Sequence, residues 1–197
     1  SHALIEGVGI TAATSQQIWP DHPEKVLGAT ADFANRHPRT CKAMIAAILD
    51  ASRWIEACAD NRRRSAAALA ASPYVNASLE AIEERFLGHY QNGLGECWED
   101  PHCLSFYRGG EVNFPYLSDG MWFMTQLRRW GLLKADPDYL EVAAAVNRID
   151  LYRDAAAMTG TPLPAEAMRR STLIDGVVWD GKDPAVYAAS FAIRHGA

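Results

Sequence analysis

From Pro38 onward, apolar or small residues return at steps of three and four: Cys41, Met44, Ile45, Ile48, Ser52, Ile55 and Ala59. Lys42, Asp50, Arg53 and Asp60 take the other side. That spacing predicts an amphipathic helix of about five or six turns, and Pro38 suits its first position. An alanine-rich helix follows over about 62–71, and "NASLEAIEERFLGHY" continues the pattern behind a Ser78 or Asn76 cap. "SDGMWFMTQLRRWG" restarts a helix with Ser118 or Asp119 at the cap and Gly131 just past its end. Its stripe of Trp122, Phe123, Gln126, Leu127 and Trp130 reads as core, with a ligand-stacking wall as the alternative. Two more helices are expected near 137–147 and 149–159, and a closing one from 183.

The β signal is sparse. Short β-prone runs occupy 8–13 ("VGITAA") and 25–30 ("KVLGAT"), and extended pieces "LSFY" and "VNFPYLS" flank the Gly109-Gly110 turn. Glycines and a proline make 92–103 a long loop, and the Asp-Gly pair in "LIDGVVW" predicts a two-residue hairpin at 173–179. Neither a repeat nor a second domain boundary is visible. Between the first two β-prone runs lies "IWPDHPEK", Ile18 to Lys25. Its prolines push Trp19 and His22 towards extended conformations, so the segment is a stiff connector that delivers Lys25 in a fixed direction. A lysine beside Glu24 is ordinarily a solvated surface residue. With Trp19 and His22 nearby, it could instead present a cation and N–H donors to a small anion.

Composition narrows the classes. The 197 residues are 49% hydrophobic and 22% charged, which suits a globular chain, and no apolar run is long enough to cross a bilayer. A net charge of −5 argues against a direct nucleic-acid partner, and Arg62 to Arg64 reads as a solvated helix start. Cys41, Cys58, Cys97 and Cys103 have irregular spacing, which predicts free thiols rather than a disulfide framework. Unpaired cysteines favour a reducing, cytoplasmic location. "CWEDPHC" holds metal-ligand residue types without the paired spacing of a zinc site, "NGLGE" follows no strand that would make it a phosphate loop, and no serine sits in a glycine elbow. Neither metal nor cofactor is expected.

The runs "GVGITAATSQQIWPDHPEKVLGATADFANRHPRTCKAMIAAILDASRWIE", "YQNGLG", "NFPYLSDGMWFMTQLRRWGLL", "VNRIDLYRDAA" and "LIDGVVWDG" together resemble the C-terminal half of the nitrate-binding protein family. That family includes solute-binding subunits of nitrate ABC transporters, bicarbonate-binding relatives, and cytoplasmic nitrate/nitrite sensors that control an antiterminator. The resemblance implies a helix-rich α/β fold, the C-terminal half of a two-lobed periplasmic-binding-protein architecture of the second type. Residues 1–30 would be the inter-lobe return strands and 31–197 the helical remainder of one fragment.

The resemblance also implies a role for Lys25, which falls on the lysine of "HPEK", an anion ligand in the nitrate binders. The bicarbonate relatives carry an acid there, so Lys25 points to nitrate or nitrite. The remaining ligands would come from an N-terminal half outside this sequence. Trp19 and His22 are added from proximity alone. The implied function is anion binding in an inter-lobe cleft, without catalysis, as a cytoplasmic sensor partnered by an antiterminator. The alternative is a transporter subunit partnered by an ABC permease, periplasmic or membrane-associated. An enzyme akin to those of thiamine-pyrimidine synthesis is the alternative of another class.

Overall fold

A computed structural model describes residues 2–100, 102 and 104–192. Its elements in chain order begin with helices α1 (His2–Ile5), α2 (Ser15–Ile18), α3 (Ala31–Arg36), α4 (Pro38–Glu56), α5 (Ala59–Ala70) and α6 (Leu79–Leu87). Strands β1 (His89–Gln91) and β2 (Cys97–Glu99) and a 3₁₀ turn (Arg108–Gly110) follow. The chain then forms α7 (Leu117–Arg129), α8 (Tyr139–Val146), α9 (Ile149–Thr159), β3 (Ser171–Thr172), β4 (Val178–Trp179) and α10 (Pro184–Ala189).

Local chemistry sets most boundaries. Thr14 and Gln17 form a reciprocal capping box on α2, and the Ser78 and Asp138 side chains accept the backbone N–H groups of Ala81 and Glu141. Gly88 ends α6 and Gly160 ends α9, both left-handed. The expected cap of α7 is displaced. That helix starts after Tyr116, and Ser118 and Asp119 are buried in its first turn.

The β-prone runs behave differently. Among the described residues no strand forms over 8–13 or 25–30, nor in "LSFY" or "VNFPYLS". Extended residues become a strand only beside a partner that completes the ladder. At 8–13 Val8 and Gly9 donate back to the Ala3 carbonyl and Thr11 donates to that of Asn92, which builds no ladder, and at 25–30 Val26 and Leu27 are exposed. Conversely, the loop expected at 92–103 contains β2, which pairs antiparallel with β1 in a register that sets Tyr90 opposite Trp98. The Asp-Gly hairpin is present with one residue more than expected. Leu173 pairs with Val177, and Ile174, Asp175 and a left-handed Gly176 make the loop.

Two compact units emerge, Ser1–His22 with Ala47–Asn113 and Pro23–Ala46 with Phe114–Ala197. In the first, α5 packs on α6 and Phe86 meets Phe106 at 5.1 Å between ring centres. Arg62 donates to the Phe86 and Leu104 carbonyls. In the second, Met121, Tyr139, Ala143 and Trp179 form one core cluster, and Ala34, Cys41 and Leu151 another. The aromatic stripe of α7 is only partly buried, with Trp122 packed against the first of these clusters. Ser118, Asp119, Met121 and Thr125 point inward, whereas Phe123, Leu127 and Trp130 are exposed. Polar partners decide this: Trp179 Nε1 donates to the Ser118 carbonyl at 2.8 Å, and Arg169 Nε to Asp119 Oδ1 at 2.8 Å.

Candidate functional site

The stiff segment begins at the end of α2. Trp19 caps that helix and is buried, and the His22 N–H turns back to the Trp19 carbonyl, leaving His22 half-buried. Between them Asp21 adopts a left-handed backbone, φ 57°. Aspartate tolerates that region better than most residues. Gln16 brackets the turn, its side-chain oxygen accepting the Asp21 N–H at 3.0 Å and its amide reaching Asp21 Oδ1 at 3.3 Å. Arg108 completes the arrangement with a two-pronged contact, Nη1 to Asp21 Oδ2 at 2.6 Å and Nη2 to Oδ1 at 2.9 Å. The hydrogen bond to Asp21 raises the Arg108 pKa above its ordinary value, so the guanidinium is charged at any physiological pH.

Arg108 is itself held from behind. Glu56, at the end of α4, accepts hydrogen bonds from the backbone N–H groups of Tyr107 and Arg108 and from Ser105 Oγ. None of Gln16, Glu56, Asp21 or Arg108 stands out in the sequence as a site residue. The only local signal is the Gly109-Gly110 pair behind Arg108, which marks a turn without saying what it grips.

Lys25 lies in the second unit, on irregular backbone, with 85% of its side chain exposed and its ammonium on Glu24. Trp19 and His22 belong to the first unit, where a backbone turn joins them. An ammonium has three donors and Glu24 engages one oxygen's worth of them, so a small anion could compete for Lys25. So exposed a pair is weak.

Other clusters suit an anion less well. A groove of about 520 Å³ in the first unit lies between α6 and the β1–β2 hairpin. Tyr90 stacks on Trp98 there, Arg85 sits over Tyr90 at 4.3 Å, and His89 stands between Glu84 and Glu99. With Glu80 also in the wall, carboxylates outnumber the single arginine and repel nitrate. Cys41 is buried, Cys58 and Cys97 are exposed, and all three are free thiols. Cys103 lies outside the described residues, so "CWEDPHC" is placed only in part: Cys97 ends on β2, and the His102 N–H donates to Asp100.

Comparison with known proteins gives this geometry a context. Residues 1–71 match the model of the NMT1-like family. The nitrate/nitrite binding protein NrtA of Synechocystis sp. strain PCC 6803 is 34% identical over 194 residues, 96% of this chain and 43% of that protein. The nitrate import ATP-binding protein NrtC of the same organism is 34% identical over 98% of this chain and 29% of its own length. The crystal structure of the periplasmic nitrate-binding protein NrtA from Synechocystis PCC 6803 superposes with a TM-score of 0.91 at 32% identity, covering 98% of this chain and 51% of that one. The chain thus spans about half, or less, of the length of the proteins it matches. Along nearly its whole length the chain is similar in sequence to nitrate/nitrite binding proteins, and its backbone matches about half of the helix-rich α/β fold of a periplasmic binding protein.

Proposed function

We propose that the natural protein carrying this chain binds nitrate or nitrite as the solute-binding component of an ABC importer, in the periplasm, with Lys25 as one anion ligand. The observation that carries the reading is the near-complete match, in sequence and in fold, to proteins named for nitrate binding. Nitrate is planar, monovalent and a poor acceptor, so a site must combine positive charge with several donors in a partly dehydrated place. Lys25 supplies the charge, and Trp19 and His22 are candidate donors. Binding then shifts a population between open and closed forms.

The matched relatives are named as binding and import proteins, which favours binding over catalysis and over the thiamine-pyrimidine enzyme alternative. The same names favour transport over the cytoplasmic sensor that the sequence alone suggested, and an ABC ATPase and permease over an antiterminator as partners. No helix among the described residues is long and apolar enough to cross a membrane.

Calorimetric titration of the natural protein with nitrate, nitrite and bicarbonate tests the reading. Saturable, one-to-one binding of nitrate or nitrite, with bicarbonate at least about tenfold weaker, is the expected result. Tighter binding of bicarbonate, or no saturable heat from any of the three, contradicts it.

A further inference from the structure

The chain crosses between its two units at three places: from His22 to Pro23, within α4 between Ala46 and Ala47, and from Asn113 to Phe114. On the first unit's side, one connected set of polar bonds ties all three crossing segments. Glu56 on α4 accepts from Ser105, Tyr107 and Arg108, Arg108 grips Asp21 one residue before His22, and Asn113 Nδ2 donates to the Phe106 carbonyl at 2.7 Å. The Glu56 and Arg108 contacts span 49 to 87 residues of sequence, so no local preference accounts for them, whereas the Asn113 bond closes a local turn of seven residues.

We propose that Arg108 is a positioning residue for the anion site: anchored by Glu56, its guanidinium fixes the left-handed turn at Asp21 from which the chain runs into His22, Pro23, Glu24 and Lys25. Its role in binding rests on the nitrate reading above, and the clamp itself rests on the geometry. Arg108 has φ 40°, followed by Gly109 at 64° and Gly110 at 94°. A residue with a β-carbon stays in that region only when its surroundings hold it there. Here Glu56 does so through two backbone N–H groups, and the fork onto Asp21 passes the constraint on. Pro23 fixes its own φ and biases His22 towards extended backbone, so few soft dihedrals remain before Lys25. A clamp with 39% and 40% of its side chains exposed adds little to global stability. Its loss should therefore appear in local order and ligand affinity, not in melting.

The test uses the natural protein with Arg108→Ala, Arg108→Lys, Asp21→Asn, and the Asp21→Asn/Arg108→Ala double variant. Asparagine keeps the tolerance for a left-handed backbone while removing the charge. Amide hydrogen exchange over residues 19–25, nitrate affinity and the melting midpoint are read on each. Arg108→Ala and Asp21→Asn should each speed exchange in that stretch and weaken nitrate binding about tenfold, with the midpoint within a few degrees of the parent. The double variant should be no worse than the more affected single variant, because both remove one interaction. Arg108→Lys keeps the charge without the fork and should fall between. Unchanged exchange and affinity, single effects that add in the double variant, or an affinity loss matched by a fall in melting midpoint would each overturn the proposal. Should the parent bind no nitrate, the proposed function fails, and the clamp stands or falls on exchange and its non-additivity alone.

Discussion

Arg169 and Asp119 show how single residues set the interior of the second unit. Asp119 is 9% exposed, and Arg169 meets it through Nε while its own backbone N–H donates to Ser118 Oγ. Burial pushes the Asp119 carboxyl above its ordinary value, and Arg169 only partly offsets that. A raised acid contributes stability that is full below the unfolded value, about 3.9, and is lost as pH rises through the folded value. Asp119→Asn, which keeps an oxygen for Arg169, should therefore flatten the dependence of melting midpoint on pH just above about pH 4. Asp119→Ala strands a guanidinium with 21% of its side chain exposed. Urea denaturation should show a loss at the low end of the ~3–5 kcal/mol typical of breaking a buried pair. No change in either variant would mean that the pair does not organise this interior.

At the scale of elements, α7 makes the sharpest prediction. Glycine inside a helix ordinarily costs about 1 kcal/mol relative to alanine, so Gly120→Ala looks like a stabilising change. Here a β-carbon at Gly120 would lie 3.0 Å from Asn147 Oδ1 and 3.2 Å from its Nδ2. That amide cannot easily give way, because Nδ2 donates to the Tyr116 carbonyl at 2.8 Å and to that of Pro115 at 3.4 Å. Gly120→Ala should thus lower the melting midpoint, and Gly120→Ala with Asn147→Ala should recover part of the helix-propensity gain. A higher midpoint for Gly120→Ala alone would contradict the account.

The same helix shows what sequence reading can and cannot reach. Helical periodicity located α4 and α7 to within about three residues at each end, because spacing alone encodes it. It placed Trp122 against the core but misjudged the rest of the inward face of α7. Phe123, Leu127 and Trp130 are the more apolar side, but Trp179 and Arg169, 50 or more residues away, bond Ser118 and Asp119 instead. Strands at 8–13 and 25–30 failed for a related reason, since a strand depends on a neighbour that β-propensity does not see. The β1–β2 pair was missed because two short strands around "NGLGE" look like a loop when glycines dominate the count.

At the scale of the molecule, the family and its fold were legible in the order of several motifs, and "HPEK" identified Lys25 as the candidate ligand. The clamp that holds the connector was not legible, because Asp21 and Arg108 are 87 residues apart and Glu56 lies 52 before Arg108. The account's central claim is that this chain contributes Lys25 to a nitrate site. A charge-assisted hydrogen bond is worth about 1.5–3 kcal/mol, which is roughly a ten- to hundredfold change in affinity. The direct measurement is a calorimetric nitrate titration of the natural protein against its Lys25→Ala variant, with both melting midpoints recorded. The account predicts affinity lower by that factor with midpoints within a few degrees, since an exposed lysine contributes little packing. Equal nitrate affinity in the two proteins would contradict it, leaving Lys25 a solvated lysine beside Glu24.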